Sequence, residues 1–371
     1  MRNAQLYAFP CSSARPLHRM MWGWDESERV ARRSDVGAKT FARQQDALDA
    51  AHAEEERIRR HKWVDPTRAA VPVADRAETW LKTKKRLRPS SRARLVGVLG
   101  NHVVERFGDY PLNTITHAEV QEWVNSMPPA TARKAFDALS QIMRAAIANR
   151  EIVYNPCTEI ELPSVDAGEQ RFLSTDEVAL LADCIDSHFR ALVLLGAYGG
   201  LRFGELAGLR RGRVDVLRGR VSVTETLVEV DGELSFGEPK TKRSKREIPL
   251  PRTIMREIES HLERYVGADV DALVFTGPKG APLRRAGFRR CWWLPAIEAA
   301  GLTGLRVHDL RHSFVSIWRD AGADILDISK RAGHSSVAFT LDRYGHLYED
   351  RSDALAEQLD ELLNQRGRKA L

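Results

Sequence analysis

The chain has 371 residues, of which 43% are hydrophobic, and it carries a formal net charge of +6 with a pI near 9.2. At about 150 residues per domain, this length predicts two or three folded domains. The modest positive charge fits a polyanionic partner, but it equally fits an ordinary basic protein, so charge alone decides nothing.

The cysteines and the hydropathy pattern exclude several classes of protein. Cysteines at positions 11, 157, 184 and 291 have neither paired metal-ligand spacing nor the density of a disulfide scaffold, so we expect free thiols in a reducing cytosol. No apolar run approaches ~20 residues, and the N-terminus lacks the apolar segment of a signal peptide. The sequence therefore predicts a soluble intracellular protein without a membrane partner.

Residues 1–66 are the hardest part of the chain to interpret. Residues 20–24 and 30–36 resemble fragments of a small sheet, but Pro10, Pro16 and the Ser12-Ser13 pair interrupt the pattern of the region. A helical pattern over 42–62 leads to a Trp-Val-Asp-Pro linker at 63–66. The simplest interpretation of 42–62 is a charged, solvated helix.

Residues 73–163 predict a compact domain of four helices, because apolar residues recur there at helical spacing. Thr116 and Glu119 form a capping-box pair that starts the third helix, and Pro128-Pro129 separates it from the fourth. Basic residues are frequent in this domain: Lys82, Lys84, Lys85, Arg86, Arg133 and Lys134. On sequence alone, such a run is more often solvated surface than a DNA-binding face.

A third region, 169–371, begins after a polar, proline-containing boundary near 163–168. Ser174 and Glu177 predict a helix start. A strand-rich segment follows at 221–230, with a hairpin turn at Asp231-Gly232 and a returning strand at 247–250, before helices resume at about 253–266. The predicted fold class is mainly α with small antiparallel sheets.

The residues that carry chemistry cluster near the end of this region. They are His-Asp-Leu-Arg-His at 308–312, Gly-His-Ser-Ser at 333–336 and Asp-Arg-Tyr-Gly-His at 342–346. Cations suit a charged phosphate transition state, imidazoles move protons, and a phenol can attack. Tyr344, interpreted as exposed, is the candidate nucleophile, and Tyr348 is the competing one. The pattern predicts chemistry on a phosphodiester.

This ordered set resembles the tyrosine recombinase (phage integrase) family, and within it the integrases of temperate actinobacteriophages, mycobacteriophages included. The resemblance covers roughly residues 73–350. It extends to Arg202 in Gly-Gly-Leu-Arg-Phe-Gly-Glu-Leu and to Lys240 in Pro-Lys-Thr-Lys-Arg-Ser-Lys-Arg. It implies a helical core-binding domain at 73–163, a mixed α/β catalytic domain at 169–371 with a C-terminal helix, and a small arm-binding module within 1–66. The first strands of that module depart from the family's pattern.

The resemblance implies a role for each candidate. Arg202 and Arg311 clamp the phosphate, since guanidinium donors match its non-bridging oxygens. Lys240 protonates the leaving 5′ oxygen, with Lys242 as the alternative, although five of the seven residues from 240 to 246 are basic and a nonspecific DNA-binding loop is the simpler interpretation. His308 accepts or relays the proton of Tyr344, and His334 binds a phosphate oxygen. Glu205 is expected to orient Arg202.

A metal-dependent phosphohydrolase is a competing interpretation of this region. His308, Asp309 and His312 resemble the His-Asp pair of a metal-dependent phosphohydrolase, but adjacent helical residues point in divergent directions and no acidic cluster lies at ligand spacing. We therefore expect neither a metal nor another cofactor, and His312 is interpreted as a packing or supporting residue.

The expected reaction breaks and rejoins DNA through a 3′-phosphotyrosyl bond, integrating phage DNA at bacterial attachment sites. The resemblance implies a homo-tetramer on double-stranded phage and bacterial sites, a host DNA-bending factor, a phage excision factor, and action on the nucleoid in the host cytoplasm. DNA contacts are expected at the basic residues of 73–163 and at Lys242, Lys245 and Arg246. A helix at 352–363 packs either on its own domain or on a neighbouring protomer. A type IB topoisomerase and an inactive DNA-binding regulator are the alternatives.

Overall fold

The structure is a computed structural model, which describes residues 4–5, 40–41, 70–165, 170–238, 244–334, 336–347 and 357. The chain divides into two compact units, Met1–Ala167 and Gly168–Leu371. Two short strands, β1 (Ala4–Gln5) and β2 (Thr40–Phe41), pair antiparallel. The remainder of the predicted N-terminal module, including the helical pattern at 42–62, lies outside the described residues, as does the predicted helix at 352–363 apart from Glu357.

The first unit contains the predicted helical block. Its helices are α1 (Val73–Thr83), α2 (Pro89–Val98), α3 (Glu105–Phe107), α4 (His117–Asn125) and α5 (Pro129–Ala148), and a π-helical segment (Leu99–Val104) joins α2 to α3. Both halves of the Thr116–Glu119 capping box form, as predicted. The core of this unit includes Trp80, Phe107, Trp123 and Ile142, all buried.

The second unit is also mainly helical, which confirms the predicted fold class. Its helices are α6 (Thr175–Cys184), α7 (Arg190–Gly199), α8 (Phe203–Ala207), α9 (Arg252–Tyr265), α10 (Arg285–Phe288), α11 (Leu294–Ala299), α12 (Asp309–Asp320), α13 (Ile325–Ala332) and α14 (Val337–Tyr344). The predicted Ser174–Glu177 capping box starts α6. Among the described helices, none has the length and hydropathy needed to span a bilayer.

The strand-rich segment forms two small sheets where the alternation predicted one strand at 221–230. Strands β3 (Val214–Asp215), β4 (Arg220–Val223) and β7 (Arg246–Pro249) make an antiparallel sheet in the order β3-β4-β7. Strands β5 (Thr226–Val230) and β6 (Glu233–Gly237) form a separate hairpin. Its turn is the predicted Asp231-Gly232 pair, and both residues have positive φ, 51° and 81°, as a type I′ turn requires.

Close approach of α7 to α12 sets the backbone around the candidate site. A Cβ atom on Gly196 would lie 2.8 Å from Leu310, and one on Gly200 would lie 2.7 Å from the ring of Phe314. Gly200 also ends α7 with a left-handed φ of 64°, a conformation that glycine adopts without strain. These contacts bring the carbonyl of Gly200 within reach of the side chains of α12.

Candidate active site

Arg202 lies at the N-terminus of α8, where Glu205 holds it. Its Nη1 donates to Glu205 Oε1 at 2.9 Å, and its backbone N–H donates to Oε2 at 2.9 Å. Its Nη2 donates to the carbonyl oxygen of Gly333 at 3.4 Å, which ties α8 to the end of α13. The Arg202 side chain is 40% exposed, so the guanidinium is oriented by its partners yet open to a ligand. Glu205 therefore orients Arg202 through direct hydrogen bonds.

Arg246 is the second partner of Glu205, and this changes its predicted role. It was expected to contact DNA, but its side chain is only 5% exposed. Nη2 and Nη1 donate to the two oxygens of Glu205 at 2.9 and 3.2 Å, and Nε donates to the carbonyl of Arg331 at 2.6 Å. With its donors already bonded inside the protein, the guanidinium is not available to a DNA phosphate. Arg246 instead fixes Glu205.

The Glu205 carboxylate is buried, 3% exposed, between these cations. Burial by itself raises the pKa of Glu205, but the charges and hydrogen bonds of Arg246, followed by the charges of Arg202 and Arg311, outweigh it and lower the pKa to about 2. The carboxylate is therefore ionised at neutral pH, and it offsets part of the repulsion among the arginines.

Arg311 is the most deeply buried cation of the site, with 2% exposure. Its Nη1 donates to the carbonyl of Gly200 at 2.6 Å, whereas its buried Nη2 has no hydrogen-bond partner among the described residues. Burial and the charges of Arg202 and Arg246 lower the pKa of Arg311 to about 9, so it stays charged at pH 7. A buried, charged donor without a partner is costly, and an anionic oxygen would satisfy it.

Tyr344 was interpreted as exposed, and the structure corrects this: the last residue of α14 is 2% exposed. Its hydroxyl lies 2.7 Å from Nδ1 of His312, and its ring stacks on that of His334, with centroids 6.0 Å apart and an interplanar angle of 11°. Burial raises the pKa of Tyr344, while the charges of Arg311, Arg343 and Arg202 lower it. Tyr344 is thus neutral at pH 7 and is close enough to the arginines to sense their charge.

His334 directly follows Gly333, which ends α13 with a left-handed φ of 63°. Its Nδ1 lies 2.8 Å from the hydroxyl of the buried Thr340. When that hydroxyl donates to Nδ1, the ring hydrogen lies on Nε2, the tautomer that can donate to a phosphate oxygen. Burial and the charges of Arg311, Arg202, Arg246 and Arg343 lower the pKa of His334 to about 3, so the ring is neutral.

His308 precedes α12 and is exposed. Desolvation of its ring and the charges of Arg311, Arg202 and Arg343 lower its pKa to about 4, although the residue as a whole remains accessible. Its ring is perpendicular to that of His312 at a centroid distance of 5.0 Å. The group that contacts the phenol oxygen of Tyr344 is thus His312, which was assigned only a supporting role.

The metal interpretation rested on the His308-Asp309 pair. Asp309 is buried, and its carboxylate binds Arg306, with Nη2 to Oδ1 at 2.7 Å and the backbone N–H of Arg306 to Oδ2 at 2.7 Å. Among the residues that the structure describes, no group of three or more His, Cys, Asp or Glu side chains is arranged to hold a metal ion. Asp309 serves as a structural partner of Arg306.

Several predicted residues lie outside this cluster. Lys240, Lys242 and Tyr348 are not among the described residues, and Lys245 is exposed and binds Glu238 at 2.7 Å. In the first unit, Lys85, Arg86 and Lys134 are exposed. Lys82 pairs with Glu78 at 2.8 Å, Lys84 lies 4.5 Å from the ring of Trp80, and Arg133 donates to the carbonyl of Pro163 at 3.1 Å.

The described site therefore combines two arginines, an ionised glutamate, neutral histidines and a buried phenol. Such a site can bind a phosphate, and its phenol is the candidate nucleophile, an arrangement suited to phosphoryl transfer through a phosphotyrosine. Residues 171–351 match the phage integrase family, and residues 73–127 match the phage integrase N-terminal SAM-like domain.

Curated relatives agree with these matches. The prophage phiRv2 integrase of Mycobacterium tuberculosis is 30% identical over 338 residues, covering 88% of this chain and 89% of that protein. The integrase of Mycobacterium phage L5 is 25% identical over 338 residues, covering 87% and 90%. The chain belongs to the phage integrase family of tyrosine recombinases, and it resembles the actinobacteriophage type. It is a site-specific DNA recombinase.

Solved structures show the same fold. The Tn1549 transposon integrase, in complex with transposon right-end DNA, matches with a TM-score of 0.66 at 18% identity, covering 79% of this chain and all 100% of that one. A lambda integrase tetramer bound to a Holliday junction matches with a TM-score of 0.57 at 17% identity, covering 82% and 92%.

Proposed function

We propose that this recombinase integrates phage DNA into a bacterial chromosome at attachment sites, and excises it with an accessory factor, using Tyr344 as the nucleophile. The observation that carries the residue assignment is the buried Nη2 of Arg311, which has no partner among the described residues and belongs to the same charged cluster as Tyr344. A scissile phosphate at this point would receive that hydrogen bond.

In the proposed reaction, the phenol oxygen of Tyr344 attacks the phosphorus, and the bond to the 5′ oxygen breaks. Arg311 and Arg202 bind the non-bridging oxygens, and His334 donates to one of them. Lys240, or Lys242 in its place, protonates the leaving 5′ hydroxyl. The 3′-phosphotyrosyl bond conserves the phosphodiester linkage, so attack by a 5′ hydroxyl reverses the step without a nucleotide or a metal.

The domain roles follow the proposed reaction. Residues 73–163 would bind the core site from one side, residues 169–371 would carry out catalysis, and residues 1–66 would bind arm-type DNA. Four protomers would act on two duplexes, as the lambda integrase tetramer on a Holliday junction suggests. A host DNA-bending factor and a phage excision factor would set the direction of recombination inside the bacterial host. The DNA-bound Tn1549 integrase, which shares this fold, supports DNA as the partner.

The nucleophile assignment is tested with Tyr344→Phe. The substitution removes one oxygen atom, so DNA affinity should stay within about threefold of wild type, because phosphate contacts dominate affinity. Covalent complex with a nicked attachment-site duplex should fall below detection in denaturing gels. Tyr348→Phe is the matched control and should react like wild type. Covalent product in the Tyr344→Phe protein would refute the assignment.

The acid assignment is tested with a 5′-bridging phosphorothiolate, whose thiolate leaves without protonation. On normal DNA, Lys240→Ala should form covalent complex at least about 10²-fold more slowly than wild type. On the sulfur-containing DNA it should react at nearly the wild-type rate. Arg202→Ala should remain slow on both substrates, since its guanidinium is assigned to non-bridging oxygens. Rescue of Lys242→Ala in place of Lys240→Ala would move the role to Lys242.

A further inference from the structure

None of the roles above uses the hydrogen bond between His312 and Tyr344. We propose that His312 is a further catalytic residue, which accepts the phenolic proton of Tyr344 at Nδ1 while the phenol oxygen attacks the scissile phosphate. This inference rests on the proposed function, because it requires Tyr344 to be the nucleophile.

The geometry selects His312 over the other histidines of the site. Its Nδ1 lies 2.7 Å from the phenol oxygen, an ordinary distance for an O–H donor and a nitrogen acceptor. His334 stacks face to face on the Tyr344 ring and uses its own Nδ1 for Thr340. Among the described hydrogen bonds, that of Tyr344 is made with His312 and not with His308.

The contact is built across two helices and is enclosed. His312 lies in α12, Tyr344 ends α14, and both are buried. The ring of Phe172 stands edge-on to both, with centroid distances of 6.4 Å to each. Bulk water therefore has little access to the pair, and the imidazole tautomer with its hydrogen on Nε2 presents the Nδ1 lone pair to the phenol oxygen that must lose a proton.

A packing role alone does not account for His312. Its Nε2 is buried and has no hydrogen-bond partner among the described residues. A phenylalanine would fill the same space without an unsatisfied polar atom, which is costly in a protein interior. An imidazole at this position contributes what phenylalanine lacks, a nitrogen that can take up a proton from Tyr344.

The surroundings of His312 keep its ring neutral, and they also make it a weaker base than a free imidazole. Burial and the charges of Arg343 and Arg306, together with the charge of His308 when that ring is protonated, lower its pKa to about 4, while Asp309 opposes them. The ring is therefore neutral at pH 7, with a free lone pair.

The bond between the Tyr344 oxygen and phosphorus forms as the bond from phosphorus to the 5′ oxygen breaks. The phenolic proton moves to Nδ1 of His312, which becomes an imidazolium, and the general acid supplies a proton to the 5′ oxygen. In the rejoining step the imidazolium returns its proton to the departing phenol.

His312→Asn tests this role, because an asparagine amide oxygen lies about where Nδ1 lies and can accept the hydrogen bond without taking up the proton. Covalent complex formation on a nicked duplex should slow by about 10²- to 10⁴-fold. A difluorinated tyrosine at position 344, whose phenol is more acidic, should reduce that defect at least about tenfold, since an acidic phenol needs less help from a base. DNA affinity and melting temperature report on folding.

His308→Asn is the matched control, and its defect should be the same with both phenols. The proposal is overturned if His312→Asn reacts at the wild-type rate, if its defect is equal with both phenols, or if only His308→Asn is rescued. Should His312→Asn not fold, His312→Ala with added imidazoles replaces it: rescue that grows with imidazole basicity supports the proposal, and absence of rescue overturns it. Failure of wild type to form any covalent complex would instead refute the proposed function.

Discussion

The cations of the predicted DNA-binding set in the first unit differ in burial from the arginines that surround Glu205 in the second unit. In the first unit, Lys85, Arg86 and Lys134 are exposed, and Lys82 pairs with the exposed Glu78. In the second unit, Arg246 and Arg311 are buried, and Glu205 is ionised beside them. Exposed cations that approach a polyanion add affinity with little geometric selection, whereas buried ones are held in fixed positions.

Burial fixes the position of a cation, and the bonding of its donors decides whether it can still bind a substrate. An exposed ammonium group costs the folded protein little free energy, and any one ion pair on the surface adds little stability. Burying a guanidinium is costly unless its donors are bonded, so an unbonded donor on a buried arginine indicates a position for a ligand. Arg246 has its donors engaged within the protein, and Arg311 keeps one unengaged within the described residues. We infer that the first supports the site and the second acts in it.

The largest effect is expected from Arg311→Lys, which keeps the charge and removes the forked donor. The rate of covalent complex formation should fall by about 10²- to 10³-fold, because one donor to the transition state is lost. Affinity for intact duplex, measured by anisotropy, should fall much less. Arg343→Lys is the matched control on the exposed side of the cluster, and a comparable rate loss there would contradict the division between buried and exposed cations.

A smaller effect on rate, with a large one on stability, is expected from Glu205→Gln. Removing one member of a buried ion pair should lower the free energy of unfolding by about 3 kcal/mol. Looser positioning of Arg202 should slow covalent complex formation by about 10- to 100-fold. Glu225→Gln, which breaks the more exposed pair with Arg210, should cost no more than about 1 kcal/mol and is the control.

The contribution of Glu205 to the free energy of unfolding depends on pH. Its pKa is lowered from 4.5 to about 2, so its stabilising contribution is complete above pH 4.5 and is lost as pH falls towards 2. The unfolding free energies of wild type and Glu205→Gln, from urea titrations, should therefore converge on acidification through this window. Curves that stay parallel between pH 5 and 2.5 would show that the carboxylate charge is not what stabilises the site.

Local patterns predicted much of the fold. The capping boxes at Thr116 and Ser174 and the Asp231-Gly232 turn depend on residues a few positions apart, and each forms as expected. The spacing of the motifs also selected Arg202, Arg311, His334 and Tyr344 as candidates, and the structure places them in one cluster, while their catalytic roles stay predictions. The predicted Lys240 lies outside the described residues.

The errors concern contacts between distant residues. Arg246 and Glu205 are 41 positions apart, and His312 and Tyr344 are 32 apart, so no local spacing joins them. The burial of Tyr344 depends on Phe172 and His334, which come from separate parts of the chain. Similarly, alternation at 221–230 does not reveal that the two ends join different sheets. Tertiary packing decided each of these features.

The smallest effect is expected from Lys134→Gln, at the exposed end of the comparison. Lys134 lies in α5, is exposed, and makes no ion pair with the described residues, so stability should stay within about 0.5 kcal/mol. If it contacts a DNA phosphate, affinity should fall by no more than about tenfold, and the slope of log affinity against log salt should shrink by about one. The rate of covalent complex formation at saturating protein should not change, because the contact is made before and during the reaction alike.

Arg264→Gln is the matched control, since it removes one exposed charge from a position outside the predicted DNA-binding set. Equal loss of affinity in both variants would mean that net charge, and not a defined face of the helical unit, binds the duplex.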